Sequence, residues 1–166
     1  MQKLILYINT IFKLGIGNVA FVFWYKLSLK TGLRKFWFKQ QEFKSKSHIF
    51  KESKTRTDYP AAWKEKLIAD ADKIINGKIK YFAYHWKQVG NPPNWFLNPL
   101  NGAEYPDAQQ HWTSLPDFHP AVGDIKNVWE ASRFEWVVTL ARAYAVTGDK
   151  QYLNTLNGWL KRLDCQ

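Results

Sequence analysis

The side chains best able to do chemistry crowd into "GDIKNVWEASRFEWVVTLARAYAVTGD", residues 123 to 149. Read as one helix from about residue 124 to about Val146, the stretch places Trp129, Arg133, Trp136, Leu140 and Tyr144 in a single strip, with Lys126 and Glu130 on its border. Arg133 carries a planar, permanently charged fork that matches a carboxylate. Aromatic rings on either side of it could stack on sugar faces. Set in a groove, the strip would suit an anionic polysaccharide. The competing reading makes Glu130 with Lys126 or Arg133 an ordinary helix-surface ion pair that contributes little. Pattern alone leaves both open.

That strip needs elements to position it. Asp124 is a good N-cap, and its charge favours the positive end of the helix. Gly148 supplies the stop, and Asp149 caps a following helix whose apolar stripe is Tyr152, Leu153, Leu156, Trp159, Leu160 and Leu163. Two helices joined by "TGD" make a tight antiparallel hairpin. Upstream, "YPAAWKEKLIADADKIINGK" predicts a helix with Pro60 in its first turn, Trp63, Leu67, Ala71, Ile74 and Ile75 on one face, and Gly77 as its stop. "KIKYFAYHWKQVG" predicts one strand or extended edge, with His85 a plain edge residue and any hairpin partner unplaced.

"NPPNWFLNPLNGAEYPDAQQHWTSLPDFHPAVG" has neither helical nor strand periodicity. Trp95, Phe96, Tyr105, Trp112 and Phe118 need packing partners, so an ordered loop folded over the domain is expected. His111 and His119 lie in it without ligand-like spacing, and no metal site is expected.

The chain has 166 residues, 17% of them aromatic, with nine Trp. That is enough for one modest domain. Its +10 charge is uneven: residues 1 to 58 hold 12 Lys or Arg against 3 Asp or Glu, residues 59 to 166 hold 12 against 11. A basic N-terminal third favours anionic partners, but no nucleic-acid reader motif accompanies it, and nucleic acid is disfavoured.

Residues 1 to 38 mix aromatic and apolar runs with lysines. Asn9, Thr10, Lys13, Asn18 and Lys26 interrupt them, which argues against a spanning helix, and no small-x-small site argues for a cleaved signal. A docked or interfacial helix is expected, with peripheral contact to an anionic membrane. Residues 39 to 58 read as a polar linker in which His48 is solvated. The single Cys165 permits neither a disulfide nor a cysteine metal site within one chain.

The runs "NWFLNPLNGAEYPDAQQHWTSLPDF" and "GDIKNVWEASRFEWVVTLARAYAVTGDKQYL" resemble the N-terminal helical-toroid region of the heparinase II/III-like polysaccharide lyase family. The resemblance covers roughly residues 59 to 160, and "GDIKNVWEASRF" and "ARAYAVTGD" are its most specific parts. The N-terminal "YINTIFKLGIGNVAFVFWYKL" is similar, more weakly, to the leader of members found with surface-polysaccharide genes.

The resemblance implies a mainly α chain: a partial (α/α) toroid of antiparallel helix hairpins over residues 59 to 166, with long ordered loops and at most a short β element. It implies cleavage of uronic-acid-containing polysaccharide by β-elimination. That reaction needs a group to neutralise the uronate carboxylate, a base for the C5 proton and an acid for the leaving oxygen. The family's catalytic Asn, Tyr and His lie beyond residue 166, so no catalytic residue transfers, no cofactor is implied, and the chain is expected to be a front piece inactive by itself. The expected cleft residues are Trp95, Asn98, Trp112, Lys126, Trp129, Glu130 and Arg133: cations for uronate or sulfate, Trp129 for stacking, Asn98 for hydroxyls, and Glu130 to contact sugar or orient Arg133.

The resemblance implies a place in the cell envelope or periplasm, with an acidic polysaccharide as partner; the oligomeric state stays open. Two alternatives stand beside it. One is a non-catalytic, envelope-associated module that binds acidic glycan and rests its basic third on anionic lipid. The other is a toroid glycoside hydrolase, which would need paired carboxylates across a cleft; none is evident.

Overall fold

The computed structural model of the protein describes residues 7, 10–38, 49–52, 58–106 and 110–164, the side chains of residues 112, 163 and 164 excepted. His48, Cys165, the Leu163 side chain and most of the expected linker lie outside the described residues. The chain is mainly α with small antiparallel hairpins. It divides into two compact units, Met1–Gln41 with Gln110–Leu115, and Glu42–Gln109 with Pro116–Gln166.

In the first unit, α1 (Ile16–Lys30) follows Gly15 at φ 79° and turns through Thr31 and Gly32, the latter at φ 73°, into the short α2 (Leu33–Trp37). The corner is stitched from within. Arg34 lies 4.3 Å over the Tyr25 ring and donates from Nε to Ser28 Oγ at 3.0 Å, and Ser28 Oγ donates to the Tyr25 carbonyl at 2.7 Å. Residues 110 to 115 belong to this unit, which no local pattern announced. There His111 is buried, with Nε2 2.8 Å from the Phe38 carbonyl and Nδ1 2.8 Å from Thr113 Oγ1. A carbonyl only accepts, so Nε2 carries the proton and Nδ1 accepts.

The second unit begins its regular structure with α3 (Ala61–Ile75), whose stripe buries Ala71 and Ile74. Gly77 ends it at φ 80°, and its N–H meets the Ile74 carbonyl at 2.8 Å. The next segment is a whole hairpin rather than one strand: β1 (Lys78–Tyr81) pairs antiparallel with β2 (His85–Gln88), Lys78 opposite Gln88 and Tyr81 opposite His85. The expected partner strand was inside the same run. The turn between them holds Phe82 and Ala83 at φ 51° and 64°, a conformation that non-glycine residues rarely adopt.

The long connection is ordered and carries two further hairpins, β3 (Leu97–Asn98) with β4 (Ala103–Glu104) and β5 (Phe118–His119) with β6 (Gly123–Asp124). The β content thus exceeds the single short element anticipated. Asparagine turns build the first hairpin: Asn94, Asn98 and Asn101 each accept, through Oδ1, the backbone N–H two residues on, all at 3.0 Å. His119 Nδ1 sits 3.3 Å from the Ala121 and Val122 amides in the second.

The single helix anticipated over 124 to 146 is broken into three. Helix α4 (Lys126–Trp129) opens where Asp124 Oδ1 accepts the Lys126 N–H at 2.9 Å. A 3-10 turn follows over Glu130–Arg133, Phe134 takes a left-handed φ of 63°, and α5 (Glu135–Thr147) begins again beyond it. Trp136 pins the break by donating its indole N–H to the Ala131 carbonyl at 3.0 Å. Helix α6 (Lys150–Asp164) returns against α5 after Gly148 at φ 73°, and Asp149 Oδ1 caps it by accepting the Gln151 N–H at 2.9 Å.

The core of this unit lies among α3, β1, α5 and α6, centred on Ile79, Tyr81, Leu140, Leu156 and three indoles. Trp136 stands between Trp95 and Trp159, with ring centroids 5.8 and 5.1 Å away. Polar ties close its edges: Tyr152 Oη donates to Asp72 Oδ1 at 2.7 Å, and Trp159 Nε1 to Asn91 Oδ1 at 2.8 Å. Buried Asn157 clasps Phe50 by both its backbone N–H and C=O, at 2.9 and 3.0 Å. The described part of the expected linker is therefore anchored to α6, not loose. Among the described residues no helix is long and apolar enough to cross a membrane.

Candidate functional site

The site begins with a carboxylate. Glu130 is 6% exposed, and its Oε1 accepts the Phe82 N–H at 3.0 Å across 48 residues of sequence. Its Oε2 faces Arg133 Nε at 2.9 Å, an ion pair without an aligned hydrogen bond. Arg133 itself is 65% exposed along its side chain, and its terminal nitrogens meet no partner among the described residues. The arrangement holds an arginine by a buried anion and leaves the outer edge of its fork free for another planar anion. Trp129, half-exposed, precedes Glu130, and exposed Lys126 begins the same short helix.

Backbone strain gathers here. The described non-glycine residues with positive φ are Phe82, Ala83 and Phe134. Phe82 hydrogen-bonds Glu130, and Phe134 directly follows Arg133. Such conformations cost on the order of 1–3 kcal/mol each and persist where the surroundings over-determine them, often at functional sites.

Tyr81, beside this carboxylate, is fully buried, and its hydroxyl has no hydrogen-bond partner among the described residues. Burial, with the negative Glu130 as a lesser cause, pushes its pKa up to about 12. It remains a neutral phenol near pH 7 and is no general base.

The other expected cleft residues do not join this group. Trp95 is 5% exposed and packed on Trp136, so its faces are spent in the core. Asn98 is equally committed: Nδ2 donates to the Val122 carbonyl at 2.7 Å, Oδ1 accepts the Leu100 N–H, and at 2% exposure the side chain is out of reach of a sugar hydroxyl. Trp112 starts a 3-10 turn in the other unit, and its side chain lies outside the described residues. The strip through Trp136, Leu140 and Tyr144 is not a lining either. The turn at Phe134 resets the helical phase, so Trp136 and Leu140 point into the core, 2% and 0% exposed.

Sequence reasoning missed a groove of about 460 Å³ along α3 and α5, lined by Tyr59, Ala62, Trp63, Lys66, Leu67, Asp70 and Arg142. Trp63 is largely exposed. Asp70 is engaged by Lys73 and Lys80, at 3.5 and 3.3 Å, while Lys66 and Arg142 have no ion pair among the described residues. The legible signal was Trp63, an aromatic at the open end of the α3 stripe. Among the described residues, no group of three His, Cys, Asp or Glu is placed to hold a metal.

Compared with family models, curated proteins and solved structures, the chain matches none.

Proposed function

We propose that residues 59 to 166 form the substrate-cleft portion of a heparinase II/III-like polysaccharide lyase, binding uronic-acid-containing polysaccharide through Arg133, Trp129 and Lys126. The observation that carries this reading is the Arg133 fork, held by buried Glu130 between two strained turns and open on its outer side. An arginine so placed binds a uronate carboxylate with a smaller loss of side-chain freedom, while adjacent Trp129 offers a ring face to the sugar. The reading also draws support from the α5–α6 antiparallel hairpin with α3 packed on α5, the kind of unit from which a partial (α/α) toroid is built. Glu130 acts as a positioning residue for Arg133, not as a sugar contact.

The role in β-elimination is to neutralise and orient the uronate carboxylate, which makes the C5 proton more acidic. No base or leaving-group acid is assigned to this chain.

Calorimetric titration with uronic-acid oligosaccharides tests the reading. Arg133→Ala should weaken binding by about tenfold or more, in line with loss of a charge-assisted pair, with Arg133→Lys recovering only part of it. Equal affinity in wild type and Arg133→Ala, or no binding by folded wild type, overturns it. The ultraviolet absorbance of an unsaturated uronate product measures the chain's own lyase activity.

A further inference from the structure

Helices α1 and α2, and the residues just before α1, leave most of their large apolar side chains exposed. Phe12, Ile16, Phe21, Phe23, Trp24 and Trp37 are each between 52 and 81% exposed. Phe21, Val22, Phe23 and Trp24 are consecutive, so exposed apolar surface spreads over much of α1, with Lys26 and Lys30 together on one side of it. Exposed apolar surface on that scale marks an interaction site. At 15 residues α1 is about 22 Å long, short of the roughly 30 Å of a bilayer's hydrocarbon core, and Asn18 and Lys26 interrupt it.

Charge narrows the choice of surrounding. Residues 10 to 38 carry Lys13, Lys26, Lys30, Arg34 and Lys35, and no Asp or Glu at all. A second copy laid on this surface would bring cations against cations. An anionic lipid surface offers the opposite charge and an apolar layer beneath it, and aromatic rings with flanking lysines match that boundary. The corner between the helices is already fixed by Arg34, Tyr25 and Ser28, so both helices are presented together without an ordering cost on contact.

We infer that residues 10 to 38 dock the protein on an anionic bilayer, with Phe21, Phe23, Trp24 and Trp37 entering the headgroup–acyl boundary and Lys13, Lys26, Lys30 and Lys35 facing the headgroups. The docking belongs to the N-terminal unit alone and stands whether or not the glycan reading does.

Flotation of the full chain with vesicles tests it. One set is pure phosphatidylcholine; the other contains about one third phosphatidylglycerol. The expected result is binding at least about tenfold stronger to the anionic set, falling steeply between about 0.05 M and about 0.5 M salt. Lys26→Gln with Lys30→Gln and Lys35→Gln should bring anionic binding down toward the neutral level. Phe21→Gln with Phe23→Gln should abolish it even at low salt. The salt series needs no variant, so it stands if one of these fails to fold. No binding, equal binding to both sets, or salt-insensitive binding overturns the inference. So does a sedimentation experiment in which the chain self-associates and leaves both vesicle sets untouched.

Discussion

Helices α1 and α6 have the same length, 15 residues, yet one hides its apolar side chains and the other shows them. Helix α6 gathers Tyr152, Leu153, Leu156 and Trp159 on one face, and all four are buried. Helix α1 is the more apolar, but its large side chains point every way and remain open. Apolar content therefore does not decide what is buried. A stripe at helical spacing, with a partner of matching stripe one tight turn away, does. Where the stripe is missing, as in α1, the apolar side chains stay exposed.

The sharpest way to break that contrast is to truncate one aromatic in each unit. Trp136→Ala removes the middle indole of three and the Ala131 hydrogen bond, and should cost about 3–5 kcal/mol in denaturant unfolding. Phe23→Ala, on an exposed face, should stay within about 0.5 kcal/mol. Equal costs would mean that α1 is packed after all. A glycine pair follows. A Cβ at Gly77 would meet Gly90 backbone at 2.9 Å on top of the left-handed φ, whereas Gly32 has the φ but nothing within 4 Å. Gly77→Ala should cost about 3 kcal/mol and Gly32→Ala about 1–2.

Glu130→Ala comes next, at about 2 kcal/mol, because it strands the Phe82 amide at a strained turn. Hydrogen exchange at that amide should accelerate with it. The smallest change is Tyr152→Phe, about 1 kcal/mol at neutral pH for the lost bond to Asp72. It also has a pH signature. The Tyr152 pKa is pushed up to about 12, by burial first and then by its bond to Asp72, and burial does the same to Tyr81. Above pH 10 the unfolded chain loses these phenol protons first, so it binds fewer protons than the native state and stability falls as pH rises from about 10 to about 12. Tyr152→Phe should shallow that fall and leave the pH dependence of stability unchanged below about pH 9, where free phenols begin to titrate.

The parts of this fold visible in the sequence were those with local causes. Pro60 and Gly77 bracket α3, and Asp124, Gly148 and Asp149 each hold a backbone position their chemistry suits. The break at Phe134 was invisible for a physical reason. Phenylalanine carries no left-handed preference, and its φ is imposed by the Trp136–Ala131 bond and the core around it. That one residue undid the five-residue strip, because a helical wheel assumes unbroken phase. Of the expected site, Lys126, Trp129 and Arg133 are exposed and Glu130 supports Arg133 from below, whereas Trp95 and Asn98 serve packing and turn closure. The turn chemistry of Asn98 was legible: it repeats at Asn94 and Asn101 with the same two-residue reach. The α3–α5 groove depends on two helices far apart in sequence, so Trp63 at the end of the α3 stripe was its one local sign and the Arg142 side of it had none.

The three clustered indoles give this molecule a consequence for optical spectroscopy. Trp95, Trp136 and Trp159 are buried against one another, while Trp24, Trp37, Trp63 and Trp129 are open to solvent. Shielded indoles emit at shorter wavelength and resist aqueous quenchers; open ones emit toward the red and are quenched readily. These seven indoles therefore form two fluorophore populations. Bilayer contact would shift the red one through Trp24 and Trp37, a sugar would shift it through Trp129, and loss of the blue one would report unfolding.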